Sequence, residues 1–304
     1  MKFIEEKIIH KLSTNSRAIF YAILTCFFVS IMIAIVRHLS QNFGIFFIVM
    51  MRNFFAFILF IPLMFKTRSA LFKTQNIHLH IMRNINGLIG MLLWFYAITL
   101  IPLPEAVSIT FTVPIITTIA AIFFLKEKVS ANVWIALFTG FVGVLIIIRP
   151  GFRQFHFAYA LTILATFSWA ISNILVKKMT ATDKPQTIVA YMSFIMLILS
   201  IPFGIAQSEP MYLADVFWLV MLGLFSNLSH IAMSNAYKNT DLNIVQPFDF
   251  TRLIFISIIA YFAFDEVIDL YSIIGATIIM IGTIFVAPKR NKVYNAALAN
   301  DDKL

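Results

Sequence analysis

Two charged residues stand one helical turn apart in an otherwise apolar stretch around residue 250. Asp249 and Arg252 have i, i+3 spacing, which lets a carboxylate and a guanidinium group neutralise one another on one helix face. Gln246 lies one turn before Asp249 on that face. These side chains could bind a charged group of a small-molecule substrate, and Asp249 could exchange a proton. A purely structural ion pair is the alternative interpretation.

A second polar face lies within residues 216–237. Asn227, His230 and Ser234 recur at i, i+3 and i+7, which is the spacing of one helix face. Contact with lipid would leave their polar groups unsatisfied, at a free-energy cost of several kcal/mol. The face is therefore expected to line a polar cavity, or else to form hydrogen bonds between packed helices.

Aromatic residues supply further candidates for a binding site. Trp94, Tyr96 and Trp169 could stack on a planar substrate, with Asn173 one turn beyond Trp169. Because 15% of the residues are aromatic, rings that pack in the interior or face lipid are the alternative for each of them.

Three residues are expected to have structural or gating roles. Arg52 is another charge inside an apolar stretch, and we expect it to act as a strut between helices. Pro114 is predicted to interrupt a helix near its middle, and Pro247 to interrupt another near its beginning. Such interruptions free backbone carbonyl groups and can act as hinges, although a simple kink is equally consistent with them.

The sequence carries no signature of cofactor or metal chemistry. Cys26 is the one cysteine, and no Cys/His spacing typical of zinc sites is present. The motifs G-x-x-x-x-G-K-[ST] and H-E-x-x-H are absent from the sequence, so neither ATP hydrolysis nor zincin chemistry is indicated. We predict no catalytic residue, no metal ligand and no cofactor.

The composition specifies the elements that must position these residues. Of the 304 residues 61% are hydrophobic and 12% are charged, which excludes a soluble globular domain and a disordered chain. The apolar residues form runs of about 20, the length of a membrane-spanning helix, rather than the short alternating segments of an outer-membrane barrel. We predict an all-α integral membrane protein whose ten transmembrane helices run Ala18–Val36, Ile45–Phe65, Ile85–Ile101, Ala106–Leu125, Val133–Ile148, Phe157–Val176, Thr187–Ala206, Val216–Tyr237, Ile244–Phe264 and Leu270–Val286.

The net charge of +9 follows from topology rather than from a nucleic-acid partner. If the N-terminus is cytoplasmic, eighteen of the 23 Lys and Arg residues fall on the cytoplasmic side, Arg83 among them, and three fall outside. Arg52 and Arg252 lie within spans. Because positive residues concentrate in cytoplasmic loops, we expect both termini in the cytoplasm.

The two halves of the chain resemble one another at an offset of about 139 residues. Phe123–Glu127 aligns with Phe262–Glu266, and Gly143 aligns with Gly282. Each half has five spans, so the halves should insert in opposite orientations, which is typical of carriers with a midplane binding site. We predict a tail at 1–17 that could lie in the membrane interface, repeats at 18–149 and 157–287, a linker at 150–156 and a tail at 288–304. Gly140, Gly143, Gly275 and Gly282 suit close helix packing, and a homodimer contact there is the alternative.

The order of these features resembles the EamA-type family of the drug/metabolite transporter superfamily. The resemblance rests on Arg52 with Pro62, Trp94–Ala97, Glu105 to Pro114, Phe124–Glu127 and Gln246–Leu253. It implies a carrier in the bacterial inner membrane for amino-acid-, vitamin- or nucleoside-like metabolites.

We therefore expect a secondary active transporter that works by alternating access, with a small-molecule substrate, the lipid bilayer and a proton as coupling ion among its partners. A membrane-embedded enzyme that acts on a lipid-linked substrate is the alternative. It is disfavoured because the acidic residues are few and dispersed rather than clustered with histidine at one interface.

Overall fold

A computed structural model of the chain describes residues 14–62, 65, 72–101, 109–110, 112–148, 156–264 and 270–286. The two predicted tails, apart from residues 14–17, the linker as far as residue 155, and the start of the fourth predicted span lie outside these residues. Within them the secondary structure is helical. The helices are α1 Thr14–Leu39, α2 Ile45–Ile58, α3 Ile77–Leu100, α4 Val113–Leu125, α5 Ala131–Ile148, α6 Phe157–Met179, α7 Pro185–Ile205, α8 Leu213–Asn239, α9 Leu242–Phe264 and α10 Leu270–Val286.

Six of these helices, α1, α3, α6, α7, α8 and α9, are long and apolar enough to cross a membrane. The described parts of α2, α4 and α5 are shorter apolar helices of the same character. The helices carry apolar side chains on their outer as well as their inner faces. Phe123 of α4, Phe138 of α5 and Phe262 of α9, for example, are each more than two-thirds exposed. A helix that is apolar all round is suited to lipid rather than to water.

Helix α9 is the irregular element of the fold. Its first turn, Leu242–Val245, is followed by a 3₁₀ segment, Gln246–Thr251, and regular α-helix resumes at Arg252. Pro247 lies in the first turn of the 3₁₀ segment, where it lacks the N–H that a regular helix would use. The break places Gln246 and Asp249 in the tightly wound segment, and Arg252 at the start of the helix that follows it.

Among the described residues, 109–110 are helical and Thr112 lies in a turn, so an interruption directly precedes Val113 and Pro114. Helix α4 begins at Val113, so Pro114 occupies its first turn, where the missing N–H has no partner to lose. Regular α-helix begins at Val113 in α4 and resumes at Arg252 in α9, 139 positions later, so the regular part of the fourth helix starts at a corresponding position in each half.

Polar contacts fix the connection between α8 and α9. The Glu127 carboxylate accepts hydrogen bonds from the backbone N–H groups of Leu242 at 3.0 Å and Asn243 at 3.1 Å. These are the orphan donors at the beginning of α9, where a negative charge is also favoured by the helix dipole. The Lys177 ammonium donates to the Thr240 carbonyl at 2.7 Å. Both contacts hold the start of α9 in place beneath its 3₁₀ segment.

A buried polar cluster anchors α3 at its N-terminal end. The His80 Nε2 and Asp183 Oδ2 atoms are 2.7 Å apart, and both side chains are almost fully buried. The Thr74 hydroxyl donates to the same carboxylate oxygen at 2.7 Å, and the Tyr191 ring lies 4.4 Å from the imidazole. The cluster ties α3 to the connection between α6 and α7 and so fixes the helix that carries Arg83 and Trp94.

Helix packing follows one pattern in both halves. α1 packs against α8 and the second part of α9, and α6 packs against α3 and α4; α2 packs against α7, and α5 against α10. Close approach requires glycine where α8 meets α2 and where α10 meets α5. A Cβ atom on Gly223 of α8 would lie 2.7 Å from the backbone nitrogen of Ala56 in α2, and one on Gly282 of α10 would meet Thr139 of α5.

Candidate functional site

A cavity of about 200 Å³ lies among α1, α2, α3, the start of α4, α6, α7, α8 and the broken part of α9. This volume is far more than the roughly 10–15 Å³ that holds one water molecule. Its wall combines aromatic rings, methionines, small polar groups and four charged side chains. Eight of the residues that sequence reasoning singled out line it: Asp249, Arg252, Gln246, His230, Trp94, Trp169, Asn173 and Arg52.

The break in α9 supplies an ion pair to this wall. The Arg252 Nη2 and Asp249 Oδ2 atoms are 3.1 Å apart, with the two side chains 13% and 28% exposed. Arg252 also donates to the Thr110 hydroxyl at 3.2 Å. One turn earlier, the Gln246 amide donates to the Tyr237 hydroxyl at 3.2 Å. The pair is therefore held at both ends, and its carboxylate retains access to the cavity.

Arg52 enters the cavity from α2 and has neutral neighbours. Its Nη1 lies 2.9 Å from the Met91 sulfur and 3.4 Å from the Asn53 amide oxygen, and its Nη2 lies 3.3 Å from the His230 Nε2. Arg52 is almost fully buried, with 3% of the residue exposed. The contact joins α2, α3 and α8, as expected of a strut, and also directs the guanidinium group into the cavity.

Arg83 is a cavity residue that sequence reasoning assigned to a cytoplasmic loop. Helix α3 begins at Ile77 rather than near Ile85, so Arg83 lies almost two turns inside it. It is 4% exposed, lines the cavity and donates to the Asn84 amide oxygen at 2.9 Å. The number of Lys and Arg residues expected on the cytoplasmic side falls from eighteen to seventeen. The signal available in the sequence was the polar run Arg83, Asn84 and Asn86 one to two turns before Gly90.

Two tryptophans form an aromatic part of the wall. The ring centroids of Trp94 and Trp169 are 5.5 Å apart at an interplanar angle of 62°, which is a favourable edge-to-face arrangement. Asn173 lies one turn beyond Trp169 on α6 and donates to the Thr117 hydroxyl at 3.3 Å. α3 and α6 thus present rings and an amide to the same space.

Three predicted binding residues lie outside the lining. The Asn227 amide donates to the Ala56 carbonyl at 2.7 Å and accepts from the Ser193 hydroxyl at 3.2 Å, so it joins α8 to α2 and α7. Ser234 is buried away from the cavity. Tyr96 is 53% exposed on the outer side of α3. Of the polar face on α8, His230 is the member that reaches the cavity.

The sequence is similar to families and proteins that are already known. The model of the EamA-like transporter family matches residues 16–149 and again residues 156–287. A riboflavin transporter of Vibrio cholerae is 31% identical over 226 residues, which are 72% of this chain and 74% of that protein. An S-adenosylmethionine uptake transporter of Rickettsia bellii is 27% identical over 256 residues, which are 84% of this chain and 88% of that protein.

A protein of known crystal structure has the same fold. It superimposes with a TM-score of 0.75 over 89% of this chain and 96% of its own, at 13% sequence identity. At that identity the likeness concerns the fold alone.

Proposed function

Because the chain belongs to the EamA-like transporter family, as its sequence motifs indicated, we propose that it is a secondary active carrier of a small organic metabolite. It is a multi-pass membrane protein, and we place it in the bacterial inner membrane. We propose that the protein carries its solute without changing it chemically. The transporter names of its relatives support this over an enzymatic reaction.

The observation that carries the proposal is the position of the cavity between the two halves of the chain, with charged and polar side chains in a mostly apolar wall. Its lining residues pair at separations of 139 or 140 positions, the same offset that relates the halves. The pairs are Val29 with Trp169, Met32 with Ser172, Ile33 with Asn173, Met91 with His230, Trp94 with Met233, Thr110 with Asp249, and Val113 with Arg252. Carriers built from inverted repeats hold their substrate at such an interface.

The helix boundaries support ten spans arranged as two inverted five-helix repeats. The ends of α1 and α6, Leu39 and Met179, are 140 positions apart, and regular α-helix begins at Val113 in α4 and resumes at Arg252 in α9, 139 positions apart. The packing pattern is also the same when each helix is exchanged for the one five positions later. Because five is an odd number, the second half inserts in the opposite direction. Alternating access then consists of one half rocking against the other around the cavity.

The cytoplasmic location of both termini rests on the distribution of charge. With Arg83 inside a span, seventeen Lys and Arg residues lie on the proposed cytoplasmic side and three on the other. A proton is the coupling ion we propose, since the Asp249 carboxylate lines the cavity and a carboxylate can exchange one.

The aromatic wall and the relatives together favour a substrate with a planar heterocycle. Riboflavin and S-adenosylmethionine, named for two relatives, both contain a fused heteroaromatic ring. Trp94 and Trp169 could pack against such a ring.

A metabolite screen tests the proposal with no single substrate assumed. Bacteria that express the protein, its Asp249→Asn variant or neither are compared by mass spectrometry of intracellular and extracellular metabolites. We expect at least one small metabolite to shift between compartments with the native protein and not with the variant. Identical profiles in all three cultures, at matched membrane levels of protein, would contradict a carrier.

A further inference from the structure

The charges around the cavity do not balance. Arg52, Arg83 and Arg252 line it, and Asp249 is the only carboxylate among its described lining residues. Asp249 lies 3.1 Å from Arg252, so that pair is internally neutralised. Arg52 and Arg83 remain as two positive charges in the wall of a cavity inside the membrane.

Neither of these arginines has an anionic partner within the part of the chain that the structure describes. Arg52 contacts an amide, a thioether and an imidazole, and Arg83 contacts an amide. The Nε atoms of both are buried without a hydrogen-bond partner there. An uncompensated charge is strongly unfavourable when it is buried, and more so at membrane depth. The cavity therefore has unused capacity to bind an anion.

The two guanidinium groups act on the same region. Arg52 of α2, Arg83 of α3 and His230 of α8 all line the same cavity, and the Arg52 Nη2 and His230 Nε2 atoms are 3.3 Å apart. Two mutually repelling cations are stabilised by one anion that contacts both. A guanidinium group is planar and offers several donors in a fork, which matches the oxygens of a carboxylate or a phosphate.

The spacing along α3 places an aromatic surface beside this anion site. Arg83, Gly87, Met91 and Trp94 all line the cavity, at spacings that keep them on one helix face. Met91 contacts Arg52, and Trp94 follows it by about one turn, or roughly 4.5 Å of helix rise. An anion at Arg52 would thus have its attached ring next to Trp94 and Trp169.

We propose that the transported solute is an organic anion, whose carboxylate or phosphate binds Arg52 and Arg83 while its planar ring packs against Trp94 and Trp169. The inference rests on the proposed function only in taking the occupant of the cavity to be the solute that is carried. It also separates this chain by chemistry from both relatives named above. Riboflavin is uncharged, and S-adenosylmethionine, although it has a carboxylate, carries sulfonium and ammonium groups that make it a net cation, which two arginines repel.

The test uses probe pairs that share a ring and differ in charge. Flavin mononucleotide carries a phosphate that riboflavin lacks, and nicotinate carries a carboxylate where nicotinamide has a neutral amide. Binding of each to purified full-length protein in lipid nanodiscs is measured by calorimetry. We expect the anion of at least one pair to bind about tenfold or more tightly than its neutral partner, because charge-assisted hydrogen bonds to arginine are gained. S-adenosylmethionine should not bind.

Substitutions of the two arginines test whether they cause the preference for the anion over its neutral partner. Arg52→Gln and Arg83→Gln should each reduce anion affinity about tenfold, while Arg52→Lys and Arg83→Lys should retain part of the preference because they keep the charge. Arg37→Gln is the matched control, since the Arg37 guanidinium lies 4.6 Å above the Phe264 ring and outside the cavity lining. Failure of both anions to bind, equal affinity within both pairs, or a preference unchanged in both glutamine variants would overturn the proposal.

Measurements of solute flux distinguish the proposed anion site from the proposed carrier activity. The same probes are offered to proteoliposomes that contain the native protein. Binding of the anion without flux would support the anion site and contradict a carrier. Flux of riboflavin or nicotinamide at the rate of its charged partner would support a carrier and overturn the anion site.

Discussion

Replacement of Asp249 by asparagine tests whether the ion pair of Asp249 with Arg252 serves transport or only stabilises the fold. The Asp249 and Arg252 side chains are 28% and 13% exposed and their charged atoms are 3.1 Å apart, so solvent screens part of their attraction. Exposed pairs contribute up to about 1 kcal/mol, whereas breaking a fully buried pair costs about 3–5 kcal/mol. Asparagine can still accept a hydrogen bond from Arg252. We expect the variant to lose about 1 kcal/mol of stability, and to insert and fold.

Transport should respond far more strongly than stability. Without the carboxylate the cavity holds three arginines and no compensating charge among its described lining residues. An anionic solute should then bind more tightly and leave more slowly, so that both KM and the maximal rate fall, the latter about tenfold or more. Initial uptake rates over a range of concentrations, together with thermal melts in detergent, give both quantities, and Asp249→Glu should restore most of the rate. Near-normal uptake by Asp249→Asn would refute the reasoning.

Three further predictions concern positions around the cavity. Cys26, the one cysteine of the chain, lines the cavity but is 2% exposed. A small methanethiosulfonate should therefore label it slowly, and bound solute should slow the labelling at least severalfold further. Mass spectrometry measures the labelling, and equal rates with and without solute would contradict the prediction. Glu127→Gln should lower stability by about 1 kcal/mol, because charge-assisted hydrogen bonds to the start of α9 are lost. Asp183→Asn should lower it by about 2 kcal/mol, because buried charge-assisted hydrogen bonds with His80 and Thr74 are weakened. Thermal melts measure both, with the exposed Glu209→Gln as control; losses no larger than that control's would show that these contacts do not stabilise the fold.

The sequence was most informative about helices and least informative about their faces. Helix α8, predicted as Val216–Tyr237, runs Leu213–Asn239, because its apolar run has clear ends. The third span was predicted to start near Ile85, with Arg83 counted among the cytoplasmic residues before it. The helix continues past Arg83 to Ile77, because a charge is tolerated where it faces a cavity.

Contacts between helices explain the remaining differences at the site. Asn227 and His230 share a face of α8, yet that face meets both the cavity and the helices α2 and α7. One helix in isolation does not reveal which part of a face is covered by its neighbours. The position of Tyr96 could have been predicted. Tyr96 follows Trp94 by two residues, which is a rotation of about 200° around the helix axis. Its position opposite Trp94 follows from the helical period alone.

Exchange of labelled metabolites in proteoliposomes tests the central claim most directly. Vesicles that contain the purified protein and unlabelled bacterial metabolites are placed in a uniformly ¹³C-labelled extract, and the labelled compounds inside are identified by mass spectrometry. The carrier account predicts that one or a few metabolites enter saturably and chemically unchanged, and that they do so poorly with Asp249→Asn. Entry no greater than in protein-free vesicles, or recovery of labelled compounds only in a chemically altered form, would contradict it.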